Sequence, residues 1–417
     1  MQFKSTHECG WELLLDIKSF IADRVSLMES SEIREILELT EGKNVISLAG
    51  GLPDPNYFPV DEMAEIASEI IKEYGSRALQ YSVTRGLREF RTEIVKFMER
   101  SGTPGERPYN IIVTSGSQQA LNLLAQILVN PGEIVIVEKP TYLAAINVFK
   151  AVGARFEGVP VDNEGMKVDE LEEKLKALKA DGKRAKIVYT VPTAQNPSGV
   201  SMSNERRERL LELAEEYDFL IIEDDPYSHF MFEDVDFKRL RSKDKYRVIY
   251  TSTFSKILAP GLRLGWVAAH PDIIDALETA KQNADLHTPT FNQLIATEAL
   301  KRGVVDKHIP KVKEAYKRKR DVMLEALEQH MSGMATWTKP VGGLFIFVYL
   351  DENIDTKEML PQALSAGVAY VPGSAFYIDG SGRNTMRLNF SYPSEEEIKS
   401  AIERLAKVVK EYSDKHK

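Results

Sequence analysis

Between residues 110 and 270, short apolar runs alternate with amphipathic stretches that are long enough to be helices. Continuous apolar runs separated by helices are typical of a mostly parallel sheet that is covered on both faces. The predicted strands are Ile111–Thr114, Ile134–Val137, Ile187–Val191, Phe219–Glu223, Val248–Thr251 and Leu262–Ala269, and the predicted helices are 117–129, 142–152, 168–180 and 203–217. This alternation predicts a large α/β domain.

In such sheets, ligands bind beyond the carboxyl ends of the strands. Polar loops follow the predicted strands at Ser115–Gln119, Lys139–Tyr142, Pro192–Gly199, Asp224–Tyr227 and Thr251–Lys256. We therefore expect these five loops to converge on one crevice.

The regions on either side of this alternation predict further units. Residues 11–40 have the pattern of an amphipathic helix, and the Gly- and Pro-rich loop Ala49–Pro59 is expected to be positioned for function. Long helices at 272–283, 291–302 and 306–331 precede a smaller α+β unit with strands at Leu344–Leu350 and Thr385–Ser391 and a terminal helix from Ser394. The predicted boundaries are 1–45 for an N-terminal helical segment packing with the small domain, 46–305 for the large domain and 306–417 for the small domain.

Composition excludes several classes of function. A net charge of −9 with interspersed acids and bases argues against nucleic acid as the main partner. Cys9 is the only cysteine, which rules out an internal disulfide and favours a reducing, cytoplasmic setting. The charged N-terminus is not a signal peptide, and no apolar run approaches the roughly 20 residues of a membrane span.

Lys256 stands out because it lies in a hydroxyl-rich turn between two apolar predicted strands. Lysine is rarely buried without a partner, and no acidic residue occurs within ten positions on its C-terminal side. Burial and the nearby Arg263 would both lower its pKa, and a neutral amine can form a Schiff base. The alternative is an ordinary exposed lysine at a strand end.

The loop Ser115–Gln119 follows a predicted strand and opens a predicted helix. Small residues let backbone N–H groups approach an anion there, and the helix dipole favours negative charge. No Walker-type lysine follows and no GxGxxG is present, so ATP and dinucleotides are disfavoured. We expect a single phosphate monoester, with Thr253 and Arg263 completing its shell; an ordinary N-cap is the alternative.

Asp224 and Tyr227 lie three positions apart at the end of an apolar predicted strand. An aspartate in this position can pair with a ring nitrogen and keep it protonated, and the tyrosine can donate to a phenolate oxygen. A capped turn is the alternative for this pair. Asn196 can hydrogen-bond a ligand hydroxyl, and its bond to Pro197 is a candidate cis peptide.

Two further residues are candidates for ligand contacts. Tyr142 begins a predicted helix, where its ring can either stack on a flat heterocycle or pack in the core. Arg387 lies in an apolar predicted strand, where its planar fork suits a carboxylate ligand or a structural salt bridge. The seven histidines are not spaced as metal ligands and no GxSxG occurs, so neither a metal site nor a serine hydrolase is predicted.

Taken together, these residues resemble the class I aminotransferases, which are fold-type I pyridoxal-phosphate enzymes, and among them the α-aminoadipate/kynurenine and multiple-substrate branch. The matching stretches are Ile46–Pro55, Ala78–Ser82, Thr114–Gln119, Asn196–Gly199, Glu223–Tyr227, Ser252–Lys256, Gly261–Gly265, Gly342–Phe345 and Arg387–Phe390, in the family's order. The resemblance implies a mostly parallel seven-stranded sheet sandwiched by helices, with a smaller α+β domain.

The resemblance also implies roles for individual residues. Lys256 would form the Schiff base with pyridoxal 5'-phosphate, Asp224 would pair with the ring nitrogen, and Tyr227 and Asn196 would contact the ring oxygen. The implied residues around the phosphate and the ring face are Gly116, Ser117, Gln118, Thr253, Ser255, Arg263 and Tyr142. The implied substrate-binding residues are Asn196, Arg387 on the α-carboxylate, Gly51, Leu52, and Ile33 and Arg34 in a mobile N-terminal segment. Tyr81 would reach the cofactor of a neighbouring subunit, which implies a homodimer with shared active sites.

The implied activity is a ping-pong transfer of the amino group from an L-amino acid to a 2-oxo acid such as 2-oxoglutarate. Aromatic, aliphatic, glutamate and 2-aminoadipate donors are all expected. A lyase or decarboxylase on the same cofactor is the nearest alternative, because it would use the same lysine and pyridinium. A ligand-sensing regulator would need an added DNA-binding module, and the acidic stretch of roughly 40 residues before Asn44 is too short for one.

Overall fold

The computed structural model describes residues 17–28, 36, 38 and 44–415. Its strands are β1 (Ile46–Ser47), β2 (Ile111–Thr114), β3 (Ile134–Lys139), β4 (Arg155–Asp162), β5 (Gly165–Met166), β6 (Ala185–Thr190), β7 (Leu220–Asp224), β8 (Val248–Thr253), β9 (Gly265–Ala268), β10 (Ala335–Trp337), β11 (Phe345–Leu350), β12 (Val368–Ala369), β13 (Val371–Pro372) and β14 (Thr385–Asn389). Its α-helices are α1 (Val60–Ala78), α2 (Arg88–Arg100), α3 (Ser117–Leu128), α4 (Leu143–Ala151), α5 (Val168–Ala180), α6 (Asn204–Glu216), α7 (Leu240–Lys243), α8 (Phe254–Ile257), α9 (Pro271–Ala284), α10 (Thr290–Lys301), α11 (Val304–Met331), α12 (Thr356–Ser365) and α13 (Glu395–Lys415).

The largest sheet has the strand order β2-β9-β8-β7-β6-β3-β4-β5. Strands β8, β7, β6, β3 and β4 run parallel to one another, whereas β9 runs antiparallel to both β8 and β2. The prediction of a mostly parallel sheet covered by helices is confirmed. The two-residue β5 adds an eighth strand at the edge, antiparallel to β4.

The strand β4 has no counterpart among the strands predicted from the sequence. Its sequence, Arg-Phe-Glu-Gly-Val-Pro-Val-Asp, carries charges, a glycine and a proline, and only Val159 within it is fully buried. It lies near the sheet edge, where the apolar pattern of a central strand is not required.

A second sheet has the antiparallel order β10-β11-β14-β13. Within it, Arg387 of β14 pairs in register with Phe347 of β11 and with Val371 of β13. The short parallel pair of β1 and β12 connects the chain before residue 50 to this C-terminal part. The loop that follows β1 is thereby placed between the two larger sheets.

Most of the predicted N-terminal helix 11–40 lies outside the described residues. Within 17–28 the α-helix prediction is wrong, because the chain forms two short 3-10 helices, Ile17–Phe20 and Asp23–Leu27. Extended backbone at Ala22 separates them. The apolar side chain of Phe20 is 71% exposed, so no buried face is available here to stabilise an amphipathic helix.

Among the described residues, no helix combines the length and the apolar character that crossing a lipid bilayer requires.

Candidate active site

The predicted loops meet at the carboxyl edge of the large sheet. Asp224 is the last residue of β7, and Lys256 lies in α8, directly after β8. Because β9 runs in the opposite direction, Arg263 reaches the same edge from the residues that precede that strand. The edge therefore carries a carboxylate, an amine and a guanidinium that are far apart in sequence.

Asp224 is buried, and only one of its carboxylate oxygens has a partner. The Tyr189 hydroxyl donates to Oδ2 at 2.8 Å, whereas the buried Oδ1 has no hydrogen-bond partner within the described part of the chain. Burial raises the pKa of Asp224 to about 7; the Tyr189 hydrogen bond opposes this rise and repulsion from Asp225 adds to it. A cationic donor such as a protonated ring nitrogen would satisfy Oδ1 and favour the ionised carboxylate.

Lys256 is half-buried, and its Nζ donates to the Gly51 carbonyl at 2.5 Å. Burial, with smaller contributions from the positive charges of Arg387 and Arg263, lowers the pKa of Lys256 to about 8. The amine therefore has a substantial neutral fraction near neutral pH, as a nucleophile or a general base requires.

Arg387 is buried, yet its partners are neutral. Nη1 donates to Asn196 Oδ1 at 2.8 Å and Nη2 to the Ala49 carbonyl at 2.5 Å. Its guanidinium carbon lies 4.3 Å from the ring centre of Phe345 and 5.0 Å from that of Phe376. Burial lowers the pKa of Arg387 to about 10. The structural salt bridge considered above is not formed among the described residues, so this cation remains available for an anionic ligand.

Tyr227, Asn196 and Tyr142 complete the crevice. Tyr227 is buried, hydrogen-bonds the side chain of Asn196, and meets the Phe345 ring edge-on at 5.8 Å. The pKa of Tyr227 is raised, chiefly by burial and then by the nearby Tyr142. The bond between Asn196 and Pro197 is cis, as predicted.

A cradle for an anion lies at the N-terminus of α3. Gly116 has φ +83°, and a Cβ at this position would lie 2.6 Å from Arg263 Nη2, so glycine leaves the approach to the helix end open. Arg263 Nη2 donates to the Ser115 carbonyl at 3.3 Å. Ser117 is the first residue of the helix, where free N–H groups and the helix dipole favour a phosphate.

Two hydroxyl residues stand opposite that helix end. Ser255 donates its backbone N–H to Thr253 Oγ1 at 3.1 Å, which caps the short helix α8. Gly265 packs so closely on this region that a Cβ there would lie 2.8 Å from Ser117 N. Thr253 and Ser255 are therefore placed beside the cradle by the same strand end that carries Lys256.

The structure does not bring every predicted residue into the crevice. Gln118 is exposed on the first turn of α3, and the Leu52 side chain is 40% exposed while its carbonyl accepts from Ser391 Oγ. Tyr81 is 78% exposed and contacts the ring of His287 edge-on. Ile33 and Arg34 lie outside the described residues.

Several contacts in the crevice involve groups that were not among the predicted residues. Within the described residues, Tyr189 is the only side chain that donates to Asp224. Its hydroxyl, near the end of the largely apolar strand β6, is a sequence feature that could have suggested this contact. Phe345 and Phe376 enclose Arg387, but their apolar side chains could equally belong to a core. Ala49 and Gly51 act through their backbone carbonyls, so their side chains gave no indication of these contacts.

These residues fit pyridoxal phosphate. The unpartnered Asp224 Oδ1 matches a protonated ring nitrogen, and the lowered pKa of Lys256 matches an amine that bonds to an aldehyde. The open helix end at Gly116 matches a phosphate. Arg387 remains for the carboxylate of a substrate.

Comparisons with known proteins agree with this fit. A sequence model of the family described as aminotransferase class I and II matches residues 43–405. Aromatic-amino-acid aminotransferase 1 of Thermococcus litoralis is 51% identical over 399 residues, which cover 95% of this chain and 95% of that protein.

Two solved structures are also similar. The multiple substrate aminotransferase from Thermococcus profundus has a TM-score of 0.92 and 50% identity, covering 96% of this chain and 100% of its own. The kynurenine aminotransferase of Pyrococcus horikoshii, solved in complex with PMP, has a TM-score of 0.92 and 49% identity, covering 95% of this chain and 98% of its own.

Proposed function

Because the chain belongs to the class I and II aminotransferases, we propose that the crevice around Lys256 is its active site and that it accepts a broad range of amino donors. Amino-group transfer with pyridoxal phosphate is the activity of this family. One observation carries the assignment of the site: a lysine with a lowered pKa lies at the same sheet edge as a buried carboxylate oxygen that has no donor in the described part of the chain.

Pyridoxal phosphate, when bound, supplies the aldehyde that takes up the amino group and a conjugated ring that withdraws electrons from the substrate's Cα. Lys256 Nζ would hold the aldehyde carbon at rest. Once the substrate amine has displaced it, the freed amine would take the proton from Cα, since its pKa of about 8 leaves it able to accept one.

Asp224, Tyr227 and Asn196 would surround the polar atoms of the cofactor ring. Asp224 Oδ1 would keep a proton on the ring nitrogen, because a carboxylate held in a buried site stabilises the positive charge there. Tyr227 and Asn196, already hydrogen-bonded to each other, would orient the ring oxygen. Thr253, Ser255, Arg263 and the N-terminus of α3 would bind the phosphate.

Arg387 would orient the substrate by its α-carboxylate. The guanidinium is held by Asn196, by the Ala49 carbonyl and by the faces of two phenylalanine rings, so it loses little freedom on binding. This orientation directs the Cα–H bond towards Lys256. Every L-amino acid carries the same carboxylate, so this contact does not discriminate among donors.

Breadth of specificity is supported by relatives named for aromatic amino acids, for kynurenine and for multiple substrates. Half-buried Tyr57 and Phe58 and the partly exposed Leu52 give the loop after β1 an apolar surface beside Gly51. An apolar surface of this kind accepts rings and aliphatic chains. A 2-oxo acid such as 2-oxoglutarate would serve as amino acceptor.

The assembly and location are proposed with the function. A homodimer with shared sites is supported by three neighbouring apolar side chains that the chain leaves in solvent: Leu79 is 76%, Tyr81 78% and Val83 58% exposed. A cytoplasmic location is supported by the single cysteine in 417 residues.

The experiment is a half-reaction. The protein loaded with pyridoxal phosphate is mixed with one amino acid at a time, without a 2-oxo acid, and the cofactor absorbance is followed. Phenylalanine, tyrosine, kynurenine, leucine, glutamate and 2-aminoadipate are each expected to convert the cofactor to its amine form, and 2-oxoglutarate is expected to restore it. Catalytic release of ammonia or carbon dioxide without the amine form would instead support the lyase alternative.

A further inference from the structure

Glu138 is a buried carboxylate at the end of β3 that is used by no step described above. It accepts hydrogen bonds from Thr190 Oγ1 at 2.7 Å, from the Val191 backbone N–H at 3.1 Å and from Gln195 Nε2 at 2.8 Å. All three donors are neutral, and burial raises the pKa of Glu138 to about 7. Burying a carboxylate is costly unless its oxygens are hydrogen-bonded, and both oxygens of Glu138 have donors here.

Gln195 is also buried, and its amide group is fully engaged. Besides the bond to Glu138, Nε2 donates to the Pro140 carbonyl at 2.8 Å. Its Oε1 accepts from the Ser198 N–H at 3.2 Å and from Ser198 Oγ at 2.5 Å. The side chain therefore connects two loops that leave different strands of the large sheet, β3 and β6.

Each of these loops carries one residue of the proposed active site. Pro140 lies two residues before Tyr142, and Gln195 directly precedes Asn196, whose Oδ1 accepts from Arg387. No hydrogen bond among the described residues joins Glu138 or Gln195 to Lys256. Within the described residues, the hydrogen bonds of the pair therefore reach the site through the two loops that it holds.

We propose that Glu138 and Gln195 form a positioning pair that fixes the loop of Tyr142 against the loop of Asn196. The inference rests on the proposed function, in which Asn196 orients the cofactor's ring oxygen, and on the ring-face position that the family resemblance implies for Tyr142. A buried network in which every polar atom is bonded has one favoured geometry. The distance between Tyr142 and Asn196 is thereby fixed by two residues that touch neither substrate nor cofactor.

Arg207 is a buried cation whose charge acts on Glu138, and its own contacts support a positioning role. Its guanidinium donates to the Pro192 carbonyl at 2.5 Å and to Thr193 Oγ1 at 2.9 Å. It thus braces the Asn196 loop from the other side and does not pair with Glu138. Arg207 therefore binds the loop through Pro192 and Thr193, and Glu138 binds it through the side chain of Gln195.

Two substitutions at Gln195 test the pair. Gln195→Glu removes both donated hydrogen bonds and places a carboxylate beside Glu138 and the Pro140 carbonyl. Gln195→Met removes the same bonds without adding charge, and it decides the question if the first variant fails to fold. Glu138→Gln is the matched control, because its oxygen still accepts from Val191 and Gln195 while the Thr190 hydroxyl turns to accept from the new amide.

The readouts separate positioning from mere stability. Amide hydrogen exchange of residues 139–142 and 192–199 is measured on the cofactor-free protein, and the dichroic band of bound pyridoxal phosphate is measured without amino acid. For both Gln195 variants we expect faster exchange in both loops, a weaker dichroic band, and a kcat lower by about tenfold to a hundredfold with little change in KM. Glu138→Gln is expected to stay within about threefold of the parent in kcat, because its hydrogen bonds are retained.

The proposal is overturned if folded Gln195→Met keeps the parent's exchange, dichroic band and kcat. It is also overturned if Glu138→Gln is as damaging as the Gln195 variants, because the charge of Glu138 would then matter and not the geometry. Absence of transamination in the parent would refute the proposed function instead. The exchange and dichroism measurements would still test the positioning pair.

Discussion

Two adjacent aspartates show how local surroundings decide the role of a residue. Asp225 is stabilised as an anion, and Arg239 Nε lies 2.7 Å from its Oδ2. Burial is the largest single effect and raises its pKa, but the charge and hydrogen bond of Arg239 and the hydrogen bond of Ser228 contribute to a net lowering of the pKa of Asp225. Asp224 has Tyr189 as its hydrogen-bond partner and a pKa raised to about 7, chiefly by burial. Asp225 has a cationic partner in Arg239, whereas none of the residues that the structure describes supplies a cation to Asp224.

Asp224→Asn is predicted to make the cofactor-free protein more stable and the enzyme inactive. An acid whose pKa is raised on folding binds its proton more tightly in the folded state, so it destabilises the fold increasingly as the pH rises from 3.8 to about 7. Asparagine removes this destabilisation, and its side-chain oxygen still accepts the hydrogen bond from Tyr189. The melting temperature of the variant should therefore exceed that of the parent by an amount that grows across this pH range and then levels off. Its kcat should fall by about a hundredfold or more.

Asp225→Asn is the matched control for this prediction. It leaves Arg239 without its buried anion, so it should lower the melting temperature at pH 7 and above. If Asp224→Asn were destabilising to the same degree, the unpartnered carboxylate would not be the cost that we assign to it. Melting curves of the cofactor-free proteins at several pH values decide between these outcomes.

At the scale of elements, the strand ends were predictable and the contacts behind them were not. The apolar runs that form β7 and β8 end where the chain leaves the sheet, so the positions of Asp224 and Lys256 followed from the pattern. The bond from Tyr189 to Asp224 depends on the neighbouring strand order, which a single sequence does not encode locally. The carbonyls of Ala49 and Gly51 act through backbone atoms that every residue has, and they give no sequence signal.

The loop after β1 is anchored to the long helix α11 by a buried ion pair. Lys319 Nζ lies 2.6 Å from Asp54 Oδ2 and also donates to the Ser391 carbonyl at 2.9 Å. The Tyr316 hydroxyl accepts from the Asp54 backbone N–H at 3.0 Å. This anchor lies three residues beyond Gly51, whose carbonyl contacts Lys256, and so holds the loop that reaches the proposed active site.

Lys319→Met is predicted to destabilise the protein by about 3–5 kcal/mol, because it leaves the buried Asp54 carboxylate without its cation. Lys311→Met, on an exposed position of the same helix, should change the free energy of unfolding by less than about 0.5 kcal/mol. Urea denaturation measures both. The double variant Asp54→Asn with Lys319→Met should regain most of the loss, and equal stability of the two single lysine variants would contradict the assigned role of the pair.

At the scale of the whole molecule, three separate parts of the chain build one crevice. The large sheet supplies Lys256 and Asp224, the second sheet supplies Arg387, and the loop after β1 supplies backbone acceptors to both cations. Tyr81, one of the proposed cofactor contacts, is 78% exposed, and the nearby Leu79 and Val83 are exposed as well. The homodimer proposal assigns this tyrosine to the site of the partner.

Mixed dimers test the sharing of sites. Lys256→Ala and Tyr81→Ala are each expected to be inactive or strongly impaired as homodimers. If Tyr81 serves the partner's site, a dimer with one chain of each kind has one site with both changes and one intact site, so activity returns on mixing. Activity that stays at the level of the separate variants, although mass spectrometry shows mixed dimers, would contradict shared sites.

The central claim is that the Lys256 amine bonds to the cofactor aldehyde. Borohydride reduction of the protein loaded with pyridoxal phosphate, followed by peptide mass spectrometry, reads the modified lysine directly. We expect a reduced pyridoxyl group on Lys256, and we expect a Lys256→Ala variant to bind the cofactor without this label and not to transaminate. A label on another lysine, or parent-level transamination by Lys256→Ala, would contradict it.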